Sequence, residues 1–229
     1  MTTISKTALF LTVAASLIGC QQGLDDNRYP TGSTSMISTA QYDAVVTANV
    51  DEGTVTRLDL ETGTAAASVD VGTEPTRIAR ISGDRMLVTL RGDRAVAVLD
   101  ASGDDLRVID TVTTGTEPYG IVAREDGSRF YVAASTEGIV QEFDAETLEL
   151  LRSFSVANEP RWLALHPDDG EVTVHQPPAV TGMDPNDGSL VTLTPRVTGD
   201  PAVHPNGRYL AVPCSTWTTS PRGPTSAPA

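Results

Sequence analysis

Apolar residues in this chain come in short alternating runs, and turn residues separate the runs. The clearest stretch is residues 115–156, GTEPYGIVAREDGSRFYVAASTEGIVQEFDAETLELLRSFSV. Four runs follow its opening Gly-Thr-Glu-Pro, broken at Glu125-Asp126-Gly127-Ser128, Thr136-Glu137-Gly138 and Asp144-Ala145-Glu146-Thr147. Alternation puts successive side chains on opposite faces of a strand, and Asp, Gly and Ser at the breaks suit tight hairpins. The stretch therefore predicts a four-stranded antiparallel sheet. Its opening turn recurs: Pro75, Pro118, Pro160 and Pro201 each follow an acidic residue, at spacings of 43, 42 and 41 residues. A period of about 40 with four strands per unit predicts β-propeller blades. The expected fold class is all-β, a propeller of about four recognisable four-stranded blades in an incomplete or open ring.

Taken in order, residues 44–48 and 54–59 alternate around Asp51-Glu52-Gly53, and residues 65–71 follow Glu61-Thr62-Gly63. These match the second, third and fourth strands of the unit, with Val46 set against Val88 and Val132, and Asp59 against Asp100 and Asp144. On that alignment the first blade lacks an inner strand. A second blade covers residues 72–113 and the third is the template. A fourth opens at Asn158-Glu159-Pro160, and its pattern degrades at Gln176-Pro177-Pro178, because paired prolines cannot donate to a central ladder. A fifth begins at Asp200-Pro201, with residues 202–204 and 208–212 as its first strands. The expected divisions are 1–19 signal peptide, 20–41 flexible tether, 42–213 propeller repeats and 214–229 unstructured tail.

Composition narrows the partners. Sixteen Lys and Arg against 30 Asp and Glu give a formal charge of -14, and Lys6 is the sole lysine. Nucleic acid is not expected, since phosphate binding needs a dense basic patch. Residues 8–18 form an apolar run behind Lys6, too short to span a bilayer, and end in Leu17-Ile18-Gly19-Cys20. This resembles a bacterial lipobox, which makes Cys20 the lipidation site, with membrane attachment through the lipid. Gln21 after the cysteine implies, by the same resemblance, the outer membrane. The expected location is the cell envelope. Acylation of Cys20 leaves Cys214 without an intrachain partner, and the sequence contains no Cys-x-x-Cys-His for haem attachment.

The repeated Gly-Thr-Glu-Pro turn, the Tyr131-Val132-Ala133 strand and the Asp-x-x-Thr turn at Asp144 resemble the YVTN-type β-propeller family, over residues 42–212. The resemblance implies a periplasmic or surface-layer-like propeller. Such propellers usually close with seven blades. Residues 202–204 could supply the first blade's inner strand and close a four-bladed ring. The other account is a truncated form, with a reading-frame shift near Pro213, where the period vanishes. Function follows the resemblance only loosely. The first reading is a non-enzymatic binding module with a protein or small-ligand partner. Others are the docking part of a propeller joined to a di-haem redox domain, and a lactonase-like hydrolase.

Candidate chemistry is sparse. The residues just after each turn proline fall near one mouth of the propeller channel, which singles out Arg77, Tyr119, Arg161 and Trp162 as binding residues. Packing of the two aromatics between blades, with Arg77 and Arg161 paired to Glu74, Glu117 and Glu159, is the structural alternative. His166 and His204 occupy equivalent positions before proline, and His175 stands apart. No spacing among them suits a metal, so neither metal nor other cofactor is expected. Asp184-Pro185-Asn186-Asp187-Gly188 resembles a calcium loop but lacks its closing Glu, and a plain turn accounts for it. No catalytic residues are assigned: no nucleophile elbow, phosphate loop or His-Glu-x-x-His occurs in the sequence.

Overall fold

The computed structural model describes residues 32–156, 159–166, 170–176, 179–193, 202–203 and 210–211. These form strands and turns, with no helix among the described residues. The signal peptide with Cys20, the frame-shift position and the tail lie outside them.

Four antiparallel four-stranded sheets follow one another along the chain. The first holds β1 (Met36–Ser38), β2 (Ala44–Asn49), β3 (Thr54–Asp59) and β4 (Ala65–Asp70), and the second β5 (Pro75–Ser82), β6 (Arg85–Leu90), β7 (Ala95–Asp100) and β8 (Arg107–Thr113). The third holds β9 (Pro118–Ala123), β10 (Arg129–Ala134), β11 (Ile139–Asp144) and β12 (Leu150–Ser155). The fourth holds β13 (Trp162–Leu165), β14 (Val172–Gln176), β15 (Ala179–Met183) and β16 (Leu190–Leu193). A two-stranded sheet, β17 (Ala202–Val203) with β18 (Leu210–Ala211), lies beyond, and β17 neighbours β13. Inner strands β5, β9 and β13 adjoin in turn, so the sheets stand side by side as blades.

The turn chemistry explains the hairpins. An Asp ends the third strand of the first three blades, and follows it directly in the fourth, and folds its carboxylate back onto the following amides. Asp59 accepts from the Thr62 amide at 2.6 Å, Asp100 from Ser102 at 3.0 Å, Asp144 from Thr147 at 3.0 Å and Asp184 from Asn186 at 2.8 Å. In Asp59, Asp100 and Asp144 these bonds favour the charged form. Hydrogen bonds from Ser102 and Arg107 hold Asp100 at about 2. Residues 184–188 thus make the same turn as the first and third blades, where the fourth residue past the Asp bonds back to its carbonyl.

Apolar cores fill the spaces between blades. One joins Ile37, Val46 and Val55 to Ile78, Met86, Val88 and Leu99. Another sets Leu87, Val96 and Val98 against Ile121, Val132 and the stacked pair Phe130 and Phe143, whose ring centroids are 4.9 Å apart. A third packs Val122, Tyr131 and Val140 on Leu163, Val172, Val174 and Met183.

Four expectations are corrected. The first blade does have an inner strand: Ile37 pairs with Val46, so residues 32–41 belong in part to the fold rather than to the tether. That strand comes from ahead of β2, and β17 pairs with β18, so residues 202–203 do not supply it as a four-bladed ring would require; residue 204 lies outside the described residues. Residues 177–178 lie outside the described set, yet the fourth blade keeps four strands. The alignment of the first blade also shifts. Val46 pairs with Arg57, as Leu87 pairs with Val98 and Tyr131 with Glu142, so Val46 corresponds to Leu87 and Tyr131 rather than to Val88 and Val132.

A one-residue slip exchanges the two faces of a strand. With the register corrected, Thr47, Asn49, Thr54, Thr56 and Ser68 lie on the face turned away from the second blade. The equivalents of the four on β2 and β3, in the second blade, are Val88, Leu90, Ala95 and Ala97, all in the core. Asn49 donates to Thr54 and Thr56 at 2.9 and 2.8 Å, and Thr56 bonds Ser68 at 3.2 Å. The first blade is finished with a hydrogen-bonded polar face, as terminal units of repeat proteins are.

Candidate functional site

The Gly-Thr-Glu-Pro turns gather at one end of the inner strands. Acidic residues from the next loop of the same blade hold them: Asp93 accepts from the Thr73 amide, and Glu137 from the Thr116 amide, both at 2.6 Å. Glu74, Glu117 and Glu159 all adopt positive φ, at 53°, 54° and 53°. This is an uphill conformation for a residue with a Cβ, about 1–2 kcal/mol. It turns the Glu74 and Glu117 carbonyls toward the amides of Arg91 and Ser135, at 3.0 and 3.1 Å.

Past each proline the chain sets two positions at the mouth. Thr76, Tyr119 and Arg161 occupy the first, and Arg77, Gly120 and Trp162 the second. The structure joins three of the four expected residues into one row. The Arg77 guanidinium lies 4.9 Å from the centre of the Tyr119 ring. Tyr119 meets Trp162 edge to face at 5.8 Å, and Trp162 stacks on His175 at 4.5 Å. Gly120 between them has no room for a side chain, since a Cβ would sit 2.4 Å from the Arg161 carbonyl oxygen. Arg161 points to Glu159 at 3.4 Å and stays outside the row.

The charge pairing matches the expected one at Arg161 and Glu159 and differs at Glu74 and Glu117, which Arg91 holds instead of Arg77. Arg91 reaches Glu74 at 3.9 Å and Glu117 at 3.0 Å. Thr136 also donates to Glu117. Arg77 has no carboxylate partner among the described residues. It donates from Nη1 to the Thr76 carbonyl, and its buried Nε has no acceptor. The indole N–H of Trp162 and both ring nitrogens of His175 are likewise buried without a partner.

His175 went unselected in the sequence. It faces Trp162 across the β13–β14 ladder and occupies the position of Thr89 and Ala133. Thr89 there donates to the Tyr119 carbonyl of the next blade at 2.9 Å. Burial, with the positive Arg161 nearby, lowers His175 to about 4. The imidazole is therefore neutral at pH 7. Among the described residues no three His, Cys, Asp or Glu side chains converge as metal ligands.

Blades of four antiparallel strands, stacked through apolar faces around adjoining inner strands, define a β-propeller. Solved structures agree. The chain is similar to a chain of the Kuenenia stuttgartiensis hydrazine synthase, with 22% identity and a TM-score of 0.69, covering 83% of this chain and 58% of that one. It is also similar to a chain of a mitotic checkpoint complex, with 15% identity and a TM-score of 0.65, covering 79% of this chain and 56% of that one. The chain thus spans less than three fifths of each, and the likeness is one of fold. No family model matches the chain, and no curated protein matches it.

Proposed function

We propose that this is a non-enzymatic binding module of the YVTN propeller type, held at the outer membrane by a lipid on Cys20, which recognises a protein partner with its channel mouth. The observation that carries the reading is the Arg77–Tyr119–Trp162 row. Arginine, tyrosine and tryptophan are the residues that dominate binding energy at protein interfaces. Here they are preassembled, with Arg77 unpaired by any described carboxylate and the Trp162 N–H unsatisfied. The loops around them are short and acidic, which suits contact with a protein surface more than enclosure of a small molecule.

The test is cross-linking of the full chain to envelope proteins, comparing the wild type with an Arg77→Ala, Trp162→Ala double variant of verified fold. One cross-linked species should fade at least about tenfold in the variant, the loss expected when one or two hot-spot residues go. Equal cross-linking would remove the mouth from the proposal. A Cys20→Ala variant that stays in the membrane fraction would remove the anchor.

A further inference from the structure

Inner strands of a propeller blade have a neighbour on one side only. β5 pairs with β6, β9 with β10 and β13 with β14, which leaves the other edge of each turned to the channel. Such an edge presents a row of unpaired amides and carbonyls. In this protein residues 32–34 sit on all three. Gly32 bridges Ala164, and the Ser33 amide donates to the Leu163 carbonyl at 2.8 Å. Thr34 bridges Ile78, whose amide donates to the Thr34 carbonyl at 2.6 Å. Ser35 then accepts from Ala48, and the chain continues as the inner strand of the first blade. The segment therefore crosses the blades in reverse order, fourth to first.

Ser33 is the centre of this crossing. Its hydroxyl lies 3.0 and 3.1 Å from the Leu163 N and O, and 3.1 and 3.3 Å from the Ile121 N and O. Ile78, Ile121 and Leu163 hold the same place in their blades, opposite Val88, Val132 and Val174. One hydroxyl, with one proton and two lone pairs, thus bridges the free edges of two blades at their shared level. Small size is part of the fit. A Cβ on Gly120 would come to 3.0 Å from the Ser33 oxygen.

We infer that residues 32–34 are a built-in clasp, an extended segment seated on the channel-side edges of three inner strands, with the Ser33 hydroxyl tying the third blade to the fourth. The clasp covers Ile78, Ile121 and Leu163 at the inner edges of the second to fourth blades with the chain's own atoms. It also links Cys20, twelve positions ahead of Gly32, to three blades at once instead of to one outer edge. The inference rests on the described hydrogen bonds and holds whether or not the mouth binds a partner.

Residue-resolved hydrogen exchange on the full chain tests it. In the wild type the Ile121 and Leu163 amides should exchange as slowly as strand amides that have a partner. In Ser33→Ala they should exchange at least about tenfold faster, one lost hydrogen bond being worth that factor. The Ile78 amide, held by the Thr34 carbonyl, should change less, and Ser33→Thr should restore protection. Rapid exchange of Ile121 and Leu163 in the wild type would overturn the clasp, even if Ser33→Ala does not fold. So would equal exchange in Ser33→Ala and wild type.

Discussion

His175 should make this fold lose stability in mild acid, starting above the range where Asp59, Asp100 and Asp144 titrate. The ring is 1% exposed, stacks on Trp162, and has no hydrogen-bond partner for either nitrogen. Burial lowers it from 6.5 to about 4. The unfolded chain therefore takes up a proton near pH 6.5 while the folded protein resists until near pH 4. Below 6.5 the unfolded state binds more protons, so stability falls as pH falls and levels off under the folded value. The gap of two to three units corresponds to about 3 kcal/mol in full, and to about 2 kcal/mol at pH 5 relative to pH 8. Urea unfolding at pH 5, 6, 7 and 8 measures this directly. A His175→Phe variant keeps a ring against Trp162 but cannot titrate, so its stability should be nearly flat across the same range. Asp59, Asp100 and Asp144 have folded values below their ordinary one, so their contribution is complete above about pH 5 and drops out only below it. A wild-type slope matched by His175→Phe would refute the reasoning.

Two further outcomes test the packing. Gly120→Ala should cost about 1–3 kcal/mol by thermal or urea unfolding, because its Cβ must displace the Arg161 backbone; a neutral result would mean that the third and fourth blades can separate freely at the mouth. Thr47→Val with Thr56→Val should change monomer stability by less than about 1 kcal/mol, yet promote self-association in sedimentation, since it removes the polar finish from the outward face of the first blade. A double variant that stays monomeric at the concentrations tolerated by wild type would argue that this face already has a cover.

What the sequence made legible was the punctuation. Asp59, Asp100, Asp144 and Asp184 each close a hairpin, because a side-chain carboxylate two or three residues before an amide makes the same turn wherever it occurs. The Glu-Pro turns likewise restart the inner strand each time. What stayed hidden depended on partners far along the chain. β1 is three residues long, with one buried apolar side chain, Ile37, and gains its identity only by pairing with β2. The slip at Val46 arose because the first and second blades are 41 residues apart at Asp59 and Asp100, and 42 at Val46 and Val88. At the mouth, convergence of Arg77, Tyr119 and Trp162 could be read from their position after proline. The pairing of Arg91 with Glu117 could not, because Arg91 arrives from the β6–β7 hairpin. His175 had a signal of its own, a histidine at a strand position held by Thr89 and Ala133 in the neighbouring blades.

The corrected register and the clasp answer one physical question together. Among the described blades two kinds of edge need cover: the face of the first blade turned away from the second, and the inner edges of the blades that follow. The first blade meets the former need by replacing Val88, Leu90, Ala95 and Ala97 with Thr47, Asn49, Thr54 and Thr56; Asn49 donates to Thr54 and Thr56, and Thr47 donates to the Ser35 carbonyl. Residues 32–34 meet the latter by pairing with Ile78, Ile121 and Leu163. Both devices lie within residues 32–56. If residues 32–34 only passed across the inner edges without covering them, Ser33→Ala would leave the Ile121 and Leu163 amides as protected as they are in the wild type.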